Sequence, residues 1–200
     1  MFLGLDFETS GVNPAVNVPV QLGLATQDGA VFQQLIGGWN WSDRPWTEDV
    51  YGRPYGEWSH RAAEVHGIDR DALRTAPTVE LVDHFAEQWV ANLGEDGKHI
   101  HAVGWNVASF DFAFLRKYLP RTDAAISYRS VDLNAVVFSI VGNDRQGYYA
   151  VKGKAKAYAA EAIGGEPEWH DAGYDALAAL HALDYLRDNY ITPPGMRGEQ

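Results

Sequence analysis

The chain has no cysteine, which excludes a disulfide framework and a zinc–thiolate centre and leaves any bound metal to oxygen or imidazole ligands. Positive charge is scarce: 16 lysines and arginines stand against 27 aspartates and glutamates, a formal net charge of -11. This speaks against a broad electrostatic footprint for duplex nucleic acid, while local, metal-assisted capture of a strand end stays compatible. Long apolar runs are missing too. No stretch approaches the about 18 apolar residues of a membrane span, and MFLGLDFET has no basic leader. A cytoplasmic protein without membrane contact is expected. There is no internal repeat or low-complexity tract.

What is present suits one α/β domain: 200 residues, 46% hydrophobic and 12% aromatic. Phe2 to Phe7, Val20 to Thr26 and Ala30 to Ile36 read as strands, the latter two joined at Asp28-Gly29 as a hairpin. Residues 39–60, dense in Trp, Tyr, Pro and Gly, read as an irregular insertion. Arg61 to His66 predicts a short helix closed by Gly67, and Thr78 to Leu93 a longer one ended by Gly94. His101 to Trp105 and Ser127 to Val131 predict strands. Helices follow over Phe110 to Tyr118, stopped at Pro120, then Leu133 to Val141, Lys154 to Ile163 and Tyr174 to Tyr190. The expected architecture is a mixed sheet flanked by helices in a domain over 1–192, with a frayed tail at 193–200.

Three segments place carboxylates where burial would make them costly: Asp6 and Glu8 in MFLGLDFETSG, Asp111 in GWNVASFDFAFL, and Asp175 in HDAGYDALAAL after His170. Alternation along a strand points Asp6 and Glu8 the same way and Phe7 into the core. Each acid also has a structural account, since a strand end faces water and a helix start favours a carboxylate. His170 alone is as readily a surface or core histidine.

Taken together, LDFET, Asn106 to Asp111 and His170 to Asp175 resemble the DEDDh group of 3′–5′ exonucleases, and AAEVHGIDRDAL (62–73) resembles the VHGI segment of that family. The resemblance covers roughly residues 2–186 and points to no one member; the relatives the chain most resembles are the proofreading exonuclease subunit of bacterial DNA polymerase III and ribonuclease T. Two departures stand out: at the second motif Trp105 precedes Asn106 where histidine is common and one extra residue separates Asn106 from Phe110, and the Trp-rich insertion at 39–60 is longer than the family resemblance leads one to expect. The resemblance implies a ribonuclease H-like mixed five-stranded sheet and hydrolysis of phosphodiester bonds at 3′ ends of single-stranded nucleic acid, DNA in preference to RNA, with release of nucleoside monophosphates. It also implies two Mg²⁺, or Mn²⁺, held by carboxylates. Asp6 would bridge both metals, Glu8 and Asp175 would complete the nucleophile side, and Asp111 would support the leaving-group side. His170 would be the general base, an imidazole's ordinary pKa near 6.5 suiting the task. Gly173 suggests a loop that swings this imidazole inward.

By the same resemblance Thr9 would meet the terminal 3′ hydroxyl, and Phe110, Val65 and His66 would wedge against the last bases. Trp39, Trp41, Trp46 and Trp58 form either a stacking platform with Arg44 and Arg53 on phosphates, or a core edge or partner surface. Lys152, Lys154 and Lys156 either neutralise backbone phosphate or are a solvated helix start. The alternative to an enzyme is a non-catalytic exonuclease-fold module docking to a polymerase or other replication or repair partner. A structural Ca²⁺ site is disfavoured because the acids are scattered rather than held in one loop.

Overall fold

In a computed structural model, residues 1–41 and 55–191 are described. Arg44, Trp46 and Arg53 of the Trp-rich segment, and the expected tail at 193–200, lie outside the described residues. Strands β1 (Phe2–Thr9), β2 (Pro19–Thr26) and β3 (Val31–Leu35) open the domain as an antiparallel meander. A parallel pair of two-residue strands, β4 (Asn40–Trp41) and β5 (Tyr55–Gly56), flanks the undescribed stretch. Helices α1 (His60–His66) and α2 (Val79–Ala91) precede β6 (His101–Gly104); α3 (Asp111–Tyr118) and α4 (Pro120–Ala125) precede β7 (Ser130–Asp132). Helices α5 (Leu133–Val141), α6 (Arg145–Ile163) and α7 (Ala172–Leu186) follow. The main sheet has the order β3-β2-β1-β6-β7, with β6 parallel to β1 and β7 parallel to β6.

Two cores lie on opposite faces of this sheet. Leu3, Leu5 and Phe7 of β1 pack with Val82 and Ala86 of α2 and Phe112, Phe114 and Leu115 of α3. Ala25 and Val103 pack on the other face with Leu133, Ala155, Ala176 and Leu180. Helix α7 approaches that face closely. A Cβ on Gly4 would lie 2.0 Å from the Ala176 carbonyl oxygen, and one on Gly23 would lie 1.9 Å from that of Ala172. The bare backbone at these two glycines sets the helix-to-sheet distance.

Three elements differ from expectation. Helix α6 begins at Arg145, nine residues before Lys154, because Asp144 caps it through the Gln146 N–H at 3.0 Å. Gly147 and Gly153 hide that first half, and the three lysines are therefore mid-helix rather than at a helix start. Pro120 starts α4 as well as stopping α3, since its fixed φ suits a first turn. Buried Asp83 of α2 accepts the Arg121 and Thr122 N–H groups at 3.1 and 2.9 Å and anchors that turn. Gly173 lies inside α7, buried, where a Cβ would meet the Gln33 side chain at 2.1 Å. It is a packing glycine and not a loop hinge. The last helix also ends at Leu186, and a π turn continues it over Arg187–Ile191.

Candidate active site

Asp6 and Glu8 share the face of β1 on which Gly4 meets α7, as strand alternation requires. Glu8 is buried, and Asp6 keeps a rim of accessible surface though enclosed by neighbouring acids. Asp111, the first residue of α3, is 2% exposed. Its position follows from a gap in the sheet. Strand β6 pairs with β1 only along Phe2–Gly4, so further along β1 the N–H groups on that side have no ladder partner. Asp111 Oδ1 accepts the Phe7 N–H at 2.9 Å, which locks it to the backbone between Asp6 and Glu8. The turn that delivers it is made by Asn106, at φ 67°, whose carbonyl accepts the Ser109 and Phe110 N–H groups at 3.2 and 3.0 Å.

Asp175 lies in the first turn of α7, between the two alanines that rest on Gly23 and Gly4. Its Oδ2 accepts the His170 N–H at 3.1 Å. His170 is exposed and, like Asn106, adopts a left-handed backbone, φ 71°. A carboxylate oxygen of Glu8, one of Asp175 and a ring nitrogen of His170 all lie within 4.8 Å of one another. Residues from β1, the loop before α7 and α7 itself are thus brought to one point.

The carboxyls at this point crowd one another. Burial, then Asp111 and Asp175, hold the Asp6 carboxyl well above the usual carboxylate range. Burial, then Asp6 and Asp175, push Glu8 up to about 9. Burial dominates at Asp111 too, opposed by the Phe7 N–H and reinforced by Glu8 and Asp132. Asp175 is raised by burial, opposed by the His170 N–H and Lys156. Four clustered carboxyls that resist ionisation suit divalent cations, hard ions that favour oxygen donors. The donor set therefore fits Mg²⁺ or Mn²⁺.

Beside Glu8 opens a cavity of about 580 Å³, and Thr9, Val65, His66 and Phe110 all line it with Trp58 and Arg61. Phe110 is half-buried and packs on Phe114 at 5.2 Å between ring centres. His66 Nδ1 accepts the Ile68 N–H at 3.0 Å, which leaves the ring proton of the neutral form on Nε2. That Nε2 is buried with no hydrogen-bond partner among the described residues. Burial lowers the His66 pKa, against the nearby Thr9 carbonyl. The tryptophans divide. Trp39 donates to the Pro19 and Ile36 carbonyls at 3.0 and 3.1 Å and meets Tyr118 edge-on, so it closes a core edge. Trp58 lies between Trp41 and His66 at the cavity.

Sequence reasoning missed Asp171. Its carboxylate caps α7 through the Tyr174 N–H at 3.0 Å and accepts from Gln21 and Gln33 at 3.0 and 2.6 Å, tying the helix start to β2 and β3. An Asp three residues before the first turn closes was the available signal.

No protein-family model matches the chain. Among curated proteins, the oligoribonuclease of Corynebacterium efficiens is 32% identical over 132 residues, 64% of this chain and 53% of that protein. Among solved structures, E. coli exonuclease I in complex with a dT13 oligonucleotide aligns over 94% of this chain and 41% of its own, with a TM-score of 0.58 and 17% identity. The chain has the exonuclease fold. A zinc-bound form of the E. coli exonuclease I complex with single-stranded DNA aligns equally, with a TM-score of 0.58 and 18% identity over 94% and 40% of the two chains. The relative is a ribonuclease and the aligned structures are of an exonuclease, which agrees with the nuclease class that the sequence motifs resemble. The chain spans about half the length of the oligoribonuclease, 53%. No helix among the described residues is long and apolar enough to cross a membrane.

Proposed function

We propose that the chain is a metal-dependent 3′–5′ exonuclease that hydrolyses phosphodiester bonds at the 3′ end of single-stranded DNA or RNA. The observation that carries this reading is the meeting of Glu8, Asp175 and His170 within 4.8 Å, with the Asp6 and Asp111 carboxyls close enough to act on these acids, and with Glu8 lining a cavity of about 580 Å³. The binding of dT13 by E. coli exonuclease I supports the choice of a single strand.

Asp6, Glu8, Asp111 and Asp175 would hold the metal. When bound, Mg²⁺ or Mn²⁺ supplies positive charge that acidifies a water and offsets the charge developing on the phosphate. The remaining steps belong to the chain. His170 accepts the proton of the attacking water, worth typically about 10² to 10⁴-fold in rate. The His170 N–H bond to Asp175 Oδ2 fixes the loop that presents its ring. Thr9 meets the terminal 3′ hydroxyl, while Phe110, Val65 and His66 hold the last bases in the cavity. The Phe7 N–H keeps Asp111 aimed at the other acids.

The test incubates 5′-labelled single-stranded DNA and RNA with wild type and Asp6→Ala, in Mg²⁺ and then in EDTA. Stepwise shortening by wild type, lost in EDTA and in the variant, is expected. Activity that survives in Asp6→Ala would overturn the assignment. His170→Ala is expected to lose rate and to keep metal affinity; equal loss of both would make His170 a ligand.

A further inference from the structure

Helix α6 carries Tyr148, Lys152 and Lys156 at four-residue intervals, which aligns them along one stripe. In a chain so short of cations, these two lysines are placed with care. Lys152 Nζ sits 4.5 Å from the Trp105 ring centre and Lys156 Nζ 4.2 Å from that of Trp169. Among the described residues neither lysine forms an ion pair. The hydrogen-bond partners of Lys152 are neutral, Asn134 Oδ1 at 3.2 Å and the Tyr148 hydroxyl at 3.4 Å, and the charged groups nearby are Asp132 and Lys156. Lys154, between the two, is exposed on the other side of the helix and stands outside the stripe.

The stripe begins at the acids and leads away from them. Lys156 is near enough to Asp6 and Asp175 to draw both carboxyls down, and Trp169 beneath it directly precedes His170. Trp105, beneath Lys152, directly precedes Asn106, and its indole Nε1 is buried with no partner among the described residues. At the far end Tyr148 stacks on Phe138, with ring centres 4.5 Å apart and planes at 20°. Phe138 is 53% exposed, an open aromatic face.

We propose that this stripe is a binding track for the single strand on the 5′ side of the scissile bond. Lys156 and Lys152 each meet one backbone phosphate, and the Phe138–Tyr148 pair stacks a base beyond them. The assignment rests on the nuclease reading above. Four residues of helix separate the two lysines by ~6 Å along the axis, a reach matched to neighbouring phosphates of an extended strand. Seating each ammonium over an indole holds its long side chain in place before the strand arrives, so less freedom is lost on binding. The ligand class is a polynucleotide backbone without sequence preference. Oligomers that reach Tyr148 are preferred over dinucleotides, which end before the track.

The test compares kcat/KM for a single-stranded decamer and for a dinucleotide, in wild type, Lys152→Gln/Lys156→Gln and Lys152→Arg/Lys156→Arg, over a salt series. The glutamine pair is expected to lower the decamer-to-dinucleotide ratio at least about tenfold and to flatten the decamer's log–log salt slope by roughly 1.4, two phosphates at about 0.7 each. The arginine pair is expected to restore both, which separates charge from folding. An unchanged ratio and slope in the glutamine pair would overturn the track. If wild type cuts neither oligomer, the nuclease reading has failed. Anisotropy of the labelled decamer then decides the track by itself: weaker, less salt-dependent binding in the glutamine pair supports it, and equal binding overturns it.

Discussion

Replacing Gly4 with alanine tests whether the seam under α7 sets the geometry of the acidic cluster. The added methyl would stand 2.0 Å from the Ala176 carbonyl oxygen and 2.6 Å from its carbonyl carbon, both backbone atoms that cannot rotate away. Real contacts begin near 3.0 Å, so α7 has to shift outward by at least about 1 Å. Overpacking of this kind costs about 1–3 kcal/mol, which for a chain of this size lowers Tm by roughly 2–12 °C. Asp175 precedes Ala176 and moves with it, and, on the nuclease reading proposed above, a displacement of about 1 Å there costs on the order of 10²-fold in rate. Gly153→Ala is the control, because nothing lies within 4 Å of the added methyl and the site is mid-helix. It is expected to stabilise by about 0.5–1 kcal/mol and leave the rate alone. Differential scanning calorimetry and initial rates on a labelled oligomer measure both. A Gly4→Ala protein with the wild-type Tm and rate would refute the claim that this contact holds the acids in register.

The raised carboxyls predict a stability that depends on metal and pH together. Glu8 titrates near 4.5 when unfolded and about 9 when folded, so the folded chain holds a proton that the unfolded chain releases. Without metal, stability should fall as pH rises across that window, and Mg²⁺ should flatten the fall; urea unfolding in chelator that shows stability flat or rising with pH would contradict this. Asp171→Ala removes the cap of α7 and its ties to Gln21 and Gln33, with an expected loss of about 1–2 kcal/mol. Asp171→Asn should recover most of that in thermal melts, and an unchanged Tm in the alanine variant would show that the cap is idle. Trp58→Ala strips an aromatic wall from the cavity, so KM should rise about tenfold with kcat kept, in line with about 1–3 kcal/mol per stacked base. A lower kcat at constant KM would place Trp58 elsewhere in the reaction.

Much of this molecule is readable from residue order, and the failures have physical causes. Alternation in FLGLDFET places Asp6 and Glu8 on one face and Phe7 on the other, because a strand leaves no freedom in that choice. The first turns at Asp111 and Asp175 are visible for the same local reason. Gly173 misleads because a glycine's flexibility and its lack of bulk look identical in a sequence; only the approach of Gln33 reveals which is used. The first half of α6 escapes notice because Gly147 and Gly153 weaken propensity, whereas Val151 and Ala155 are buried against α7 and the sheet and supply the missing stability. Nothing local shows that β6 stops pairing at Gly4, which leaves the Phe7 N–H for Asp111.

The resting of α7 on Gly4 and Gly23 also has a consequence in time. Asp6 and Glu8 lie on β1, and the helix that brings Asp175 to them follows Ile163. Contacts of such long sequence separation are closed late and slowly, and a growing chain adds only about 5–20 residues per second. Until α7 is made, the three earlier acids therefore exist without the fourth. On the nuclease reading proposed above, the acidic cluster would stay incomplete, and the chain without hydrolytic activity, until α7 docks on Gly4 and Gly23.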